Sequence, residues 1–94
     1  MTNKDRIFEK ARIEVGGQTS EPMTIKVILT VKDNIRSGAG EAKLSTEVFD
    51  EIEAVNGAGT VHTNSGETFS IMIRKAYAQS KRVEFVTSGP VPES

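Results

Sequence analysis

Proton transfer, nucleophilic attack and transition-metal binding draw on few side chains, with histidine and cysteine foremost. This chain of 94 residues has one histidine, His62, and no cysteine. The missing thiols remove disulfides, thiolate metal sites and cysteine nucleophiles. A common zinc set needs a second histidine or a cysteine beside His62, and the sequence supplies neither. Ser65, Ser70 and Asp50 could complete a Ser-His-acid triad, yet no G-x-S-x-G turn marks a nucleophile. His62 therefore reads as an ordinary surface or half-buried residue. No catalytic residue, metal or cofactor is expected.

Two glycine-rich pieces invite a phosphate-binding reading, Ser37-Gly38-Ala39-Gly40 and Asn56-Gly57-Ala58-Gly59. Neither matches G-x-x-x-x-G-K-[ST] or G-x-G-x-x-G, and the second follows a predicted helix instead of opening one. Gly57 is already accounted for as a helix stop.

The remaining polar chemistry is electrostatic. The formal net charge is −1, which argues against a dedicated polyanion binder. Along the chain, however, the charges separate. Residues 44–73 hold five acids and no Lys or Arg, whereas 74–82 hold four basic groups and no acid. Arg74, Lys75, Lys81 and Arg82 surround Tyr77 at a predicted hairpin, a set that could hold phosphates and stack a base. The plainer reading is that they solvate a hairpin tip and discourage edge pairing. Glu47, Asp50 and Glu51 form an acidic helix face that could meet a basic partner. Acids in a first helical turn also complement the helix dipole without any ligand.

These residues need elements to hold them. Met23–Lys32 alternates apolar and polar side chains at period two, the pattern of a half-buried strand, with Ile28 breaking the polar face. Upstream, Ile7, Ala11, Ile13 and Val15 are expected on one face of a strand, although residues 4–12 also fit helical spacing. Gly16 to Pro22 joins the two as a long hairpin loop. Asp33–Lys43 reads as a mobile loop with, at most, a short strand at 40–43. Ser45 suits a helix N-cap, and Val48, Phe49, Ile52 and Val55 form a stripe that ends at Asn56-Gly57, predicting a helix over Thr46–Val55. Strands follow at Thr60–Asn64, Glu67–Tyr77 and Arg82–Thr87, with turns at Ser65-Gly66 and Ala78–Lys81. All eight glycines then fall in turns, loops or the tail.

The expected fold is α+β, of order ββαβββ. It is a mainly antiparallel sheet or a partly open small β-barrel with one amphipathic helix at about 46–55. Residues 1–88 form one domain and 89–94 a flexible tail. No apolar run of about 18 residues is present. Nor does an apolar run of signal-peptide length follow Met1–Arg6. A soluble cytoplasmic domain with no membrane contact is expected.

The function expected is a non-catalytic protein-binding or assembly module, with a protein partner or a second copy as ligand. The first and last strands are offered as edges for a partner strand. One rival is an OB-like nucleic-acid module using Arg74, Lys75, Tyr77, Lys81 and Arg82. Another is a small-ligand carrier or enzyme with a pocket between sheet and helix. A pocket near His62 and Gly38 would favour the last. A continuous basic face with exposed Tyr77 would favour nucleic acid, and a flat apolar patch around Ile28 a protein.

Overall fold

In the computed structural model, which describes residues 2–32, 35–88 and 91, seven strands and one short helix follow one another. They are β1 (Thr2–Val15), β2 (Gln18–Thr19), β3 (Met23–Lys32), β4 (Ile35–Lys43), α1 (Thr46–Phe49), β5 (Ala58–His62), β6 (Thr68–Tyr77) and β7 (Arg82–Thr87). Every pairing is antiparallel, and the order β1-β3-β4-β7-β6-β5 returns from β5 to β1. The sheet is thus a closed barrel of six strands, with β2 as a short extension of the first hairpin. Closure removes most of the edges that an open sheet would leave unpaired.

Alternation explains how the barrel fills. Ile25, Val27 and Leu29 point inward from β3, Phe69, Ile71 and Ile73 from β6, and Val83 and Phe85 from β7. Phe8 and Phe69 meet inside with ring centroids 5.3 Å apart. On β1 the inward phase changes midway. The register shifts between Phe8 and Ala11, and Lys10 takes a left-handed φ of 54°. One extra residue in a strand reverses the faces beyond it, so Phe8 is buried before the bulge and Ala11, Ile13 and Val15 after it. Ile7, expected on one face with Ala11, Ile13 and Val15, consequently lies on the opposite one and is 57% exposed.

Three further expectations change. Residues 35–43, expected as a loop with at most a short strand at 40–43, form β4 throughout, and positions 33–34 lie outside the described residues. Its glycines are there because the barrel wall is crowded. A Cβ at Gly38 would lie 2.6 Å from Val27 Cγ1, and one at Gly40 would lie 2.6 Å from the Lys26 carbonyl oxygen. Gly38, Gly40 and Gly59 therefore interrupt strands, against the expectation that every glycine sits in a turn, loop or tail. The barrel also places β7 between β4 and β6, so the last strand is not an edge.

The helix is shorter than expected. Only Thr46–Phe49 is α-helical, and Glu53–Val55 is a 3₁₀ turn. Four-residue bonds at Phe49 and Asp50 give way to three-residue bonds from Glu51 to Val48 and from Ile52 to Phe49. Side chains three apart eclipse in a 3₁₀ helix. The tightening thus keeps Phe49, Ile52 and Val55 against the core, where each is half-buried. Asn56 ends the segment at φ 54°, while its amide bonds to Glu53 and that of Gly57 to Ile52, a Schellman arrangement. Ser45 has the extended backbone of an N-cap but makes no side-chain capping bond. Of the expected tail, 89–90 and 92–94 lie outside the described residues, and Val91 is buried in the core.

Candidate functional surface

The barrel wall brings residues from distant positions into transverse rows. On the outer face, Ile28 stands opposite Ala39, Ala39 opposite Val86, and Val86 opposite Met72. Ile28 is 47% exposed and Ala39 is exposed. Ile7 belongs to the same outer face, diagonal to Ile28 through the pairs Ile7–Lys26 and Asp5–Ile28. The apolar row sits in a shallow groove whose wall includes Ile28, Ala39, Val86, Arg74, Glu41 and Glu84. An apolar stripe around Ile28 is therefore present, set in this groove.

The neighbouring row is charged and mixed in sign. Lys26 faces Glu41, Glu41 faces Glu84, and Glu84 faces Lys75. Asp5 adds an ion pair with Lys26 at 3.2 Å, and Arg82 one with Glu41 at 3.5 Å. Exposed pairs of this kind contribute little to stability, but they border the apolar stripe with both signs of charge.

The basic hairpin is placed within this frame. A bulge between Ile73 and Lys75 turns consecutive Arg74 and Lys75 both toward solvent. Tyr77 donates a hydrogen bond of 2.6 Å to Glu84 Oε2, and the Arg82 guanidinium lies 4.8 Å from the centre of its ring. That hydrogen bond is the main reason the Tyr77 hydroxyl titrates above its ordinary value, with lost hydration and the Glu84 charge adding to it and Arg82 opposing it. Lys81 leaves the group and lies over the Phe49 ring at 5.0 Å. The five residues thus do not form one basic face. Glu41 and Glu84 divide them, one face of Tyr77 is covered, and Lys81 turns to the helix. Sequence order hides this, because Glu41 and Glu84 lie outside the basic segment and reach it only through strand pairing.

The acidic residues are also spread. Glu47 and Asp50 are exposed, whereas Glu51 is half-buried over Gly16, at which a Cβ would lie 2.9 Å from Glu51 Oε2. Asp50 lines a groove between helix and hairpin together with Phe49, Ile52, Glu53, Ala76 and Ala78. This is the place where the carrier or enzyme reading expected a pocket, and its lining contains two carboxylates with no histidine, hydroxyl or cation.

His62 and Gly38 do not come together. Gly38 lies on β4 and its amide donates to Thr87 Oγ1 at 2.8 Å. His62 lies on β5, half-buried, with Nε2 2.8 Å from Glu14 Oε1. Glu14 was missed as a partner, and its only sequence signal is its place on the strand that β5 closes against. Among the described residues, no group of three or more His, Cys, Asp or Glu is arranged to hold a metal ion, and no helix is long and apolar enough to cross a membrane. Comparisons with protein-family models, with curated proteins and with solved structures give no match for this chain.

Proposed function

We propose that the protein is a non-catalytic protein-binding module whose contact surface is the outer stripe of Ile7, Ile28, Ala39 and Val86. One observation carries this reading: Ile7 and Ile28, at 57% and 47%, are the most exposed of the large hydrophobic side chains among the described residues. Apolar side chains standing side by side with a charged border are the ordinary anatomy of a recognition patch. Covering the exposed parts of two isoleucines contributes about 2–3 kcal/mol toward association. The mixed charges of Lys26, Glu41, Glu84 and Arg74 set orientation more than affinity. The divided basic hairpin and the occupied Tyr77 ring weigh against nucleic acid as the ligand.

The test is affinity capture from the native host with wild-type and Ile28→Glu baits, compared by quantitative mass spectrometry. A protein enriched on the wild type should be lost, by about tenfold or more, on the variant. Ile28 lies on the outer face, so the variant should keep the wild-type melting profile. Equal capture by the two folded baits would contradict the reading. Capture dominated by nucleic acid and lost on Arg74→Ala with Lys75→Ala would transfer the function to the hairpin.

A further inference from the structure

The two edges of β1 are unequal. On one side the strand is paired with β3 from Thr2 to Phe8 and at Ala11, and with β2 at Glu14 and Val15. On the other side β5 covers only Arg12, Ile13 and Glu14. Among the described residues, Lys4–Phe8 therefore have no ladder partner on that side, although the rest of the barrel is closed. Such a row of backbone donors and acceptors is a template for strand addition.

Side chains along the edge say what kind of strand fits. By alternation Lys4, Arg6 and Phe8 share the inward side of the strand, where Phe8 is buried, Arg6 half-buried and Lys4 exposed, and Asp5 and Ile7 share the outer face. The Arg6 guanidinium lies 5.2 Å from the centre of the Phe8 ring, and its Nε is buried with no hydrogen-bond partner. A buried donor without an acceptor costs free energy that an arriving oxygen would recover. Asp5 already has its counter-ion in Lys26. The unmet demand on one face is thus for carboxylates, and on the other for apolar groups beside Ile7.

A second copy of β1 does not meet that demand. Antiparallel pairing about a two-fold axis keeps like faces together. Centred on Arg6, it sets Arg6 against its own copy. Centred on Asp5, it sets Lys4 against Arg6, and centred on Ile7 it sets Asp5 against Glu9. Each register opposes like charges, which is how edges resist self-pairing.

We propose that the Lys4–Phe8 edge of β1 binds an extended segment of a partner protein in which acidic and apolar residues alternate. The acidic residues lie beside Lys4 and Arg6, and the apolar residues beside Ile7. The added strand continues the outer stripe across Ile7 and Ile28, so this inference rests on the protein-binding reading and supplies its partner chemistry.

The experiment titrates the ¹⁵N-labelled chain with a capped peptide of alternating valine and glutamate. Controls are the valine–lysine peptide and a valine–glutamate peptide N-methylated at alternate amides. Binding should shift and protect amides of Lys4–Phe8, be at least about tenfold weaker for the lysine peptide, and be lost on N-methylation. Lys4→Glu, an exposed position, should weaken it, and Arg6→Gln should cost about tenfold in affinity. Equal binding of the lysine or N-methylated peptide, or no shift at Lys4–Phe8, would overturn strand addition. Concentration-dependent dimerisation through these same amides would overturn the assignment to a foreign strand. Failure of the peptides alongside loss of the captured protein on Ile28→Glu would leave the protein-binding reading intact and remove only this inference.

Discussion

Single side chains carry two of the clearest expectations. Tyr77 is the only tyrosine and there is no tryptophan, so its ionisation can be followed directly by absorbance. Its bond to Glu84 raises the hydroxyl above the ordinary value near 10. The midpoint should lie above that of a free tyrosine and return toward it in Glu84→Gln. Because the folded chain favours the protonated phenol, this contribution is fully present below the unfolded value. It is lost as pH rises through the folded one. A normal midpoint in the wild type would contradict the hydrogen bond. At Gly40 the argument is steric. An alanine Cβ would lie 2.9 Å from Phe85 Cζ as well as close to the Lys26 carbonyl. Gly40→Ala should therefore cost about 1–3 kcal/mol in denaturant unfolding, as overpacking does, and no loss would show that the wall has room.

At the scale of elements, the helical segment and the first hairpin are informative. Ser45 lacks a side-chain capping bond, so Ser45→Ala should cost less than the roughly 1 kcal/mol usual for a cap. Asn56, held at φ 54°, should lose about 1 kcal/mol on Asn56→Ala and little on Asn56→Gly. Urea melts of the three variants decide the order. In the hairpin, Ser20 is buried, accepts from the Ile13 amide at 2.9 Å and donates to the Glu21 carbonyl. Ser20→Ala leaves the Ile13 amide with one acceptor fewer and should cost about 1–3 kcal/mol.

These elements also show what a linear reading can and cannot recover. Met23–Lys32 and Arg82–Thr87 were legible to the residue because alternation is local, and Asn56-Gly57 because αL residues are few. The stripe at Phe49, Ile52 and Val55 was legible as buried, but its strict spacing of three marked a 3₁₀ turn where an α-helix was expected. The identity of β4 was hidden, since its glycines are set by Val27 and Phe85 on the two neighbouring strands, which are distant in sequence. Bulges at Lys10 and Arg74 leave no period of their own, which is why Ile7 was grouped on one face with Ala11, Ile13 and Val15.

The whole molecule explains what becomes of the charge separation along the chain. Strand pairing inserts Glu41 and Glu84 among the basic residues of the hairpin, so segregation along the chain becomes mixture on the surface. What remains unmixed is apolar: the stripe from Ile7 to Val86, adjoining the one stretch of β1 that β5 does not reach. A closed barrel leaves recognition to its outer wall and to any edge left open.

The most direct measurement is hydrogen exchange of the chain with and without the protein it captures, resolved by segment. Slowed exchange should appear at 25–29, 38–41 and 84–86, and extend to 4–8. Slowing confined to the 74–82 hairpin, or to the groove at Phe49 and Asp50, would contradict the account.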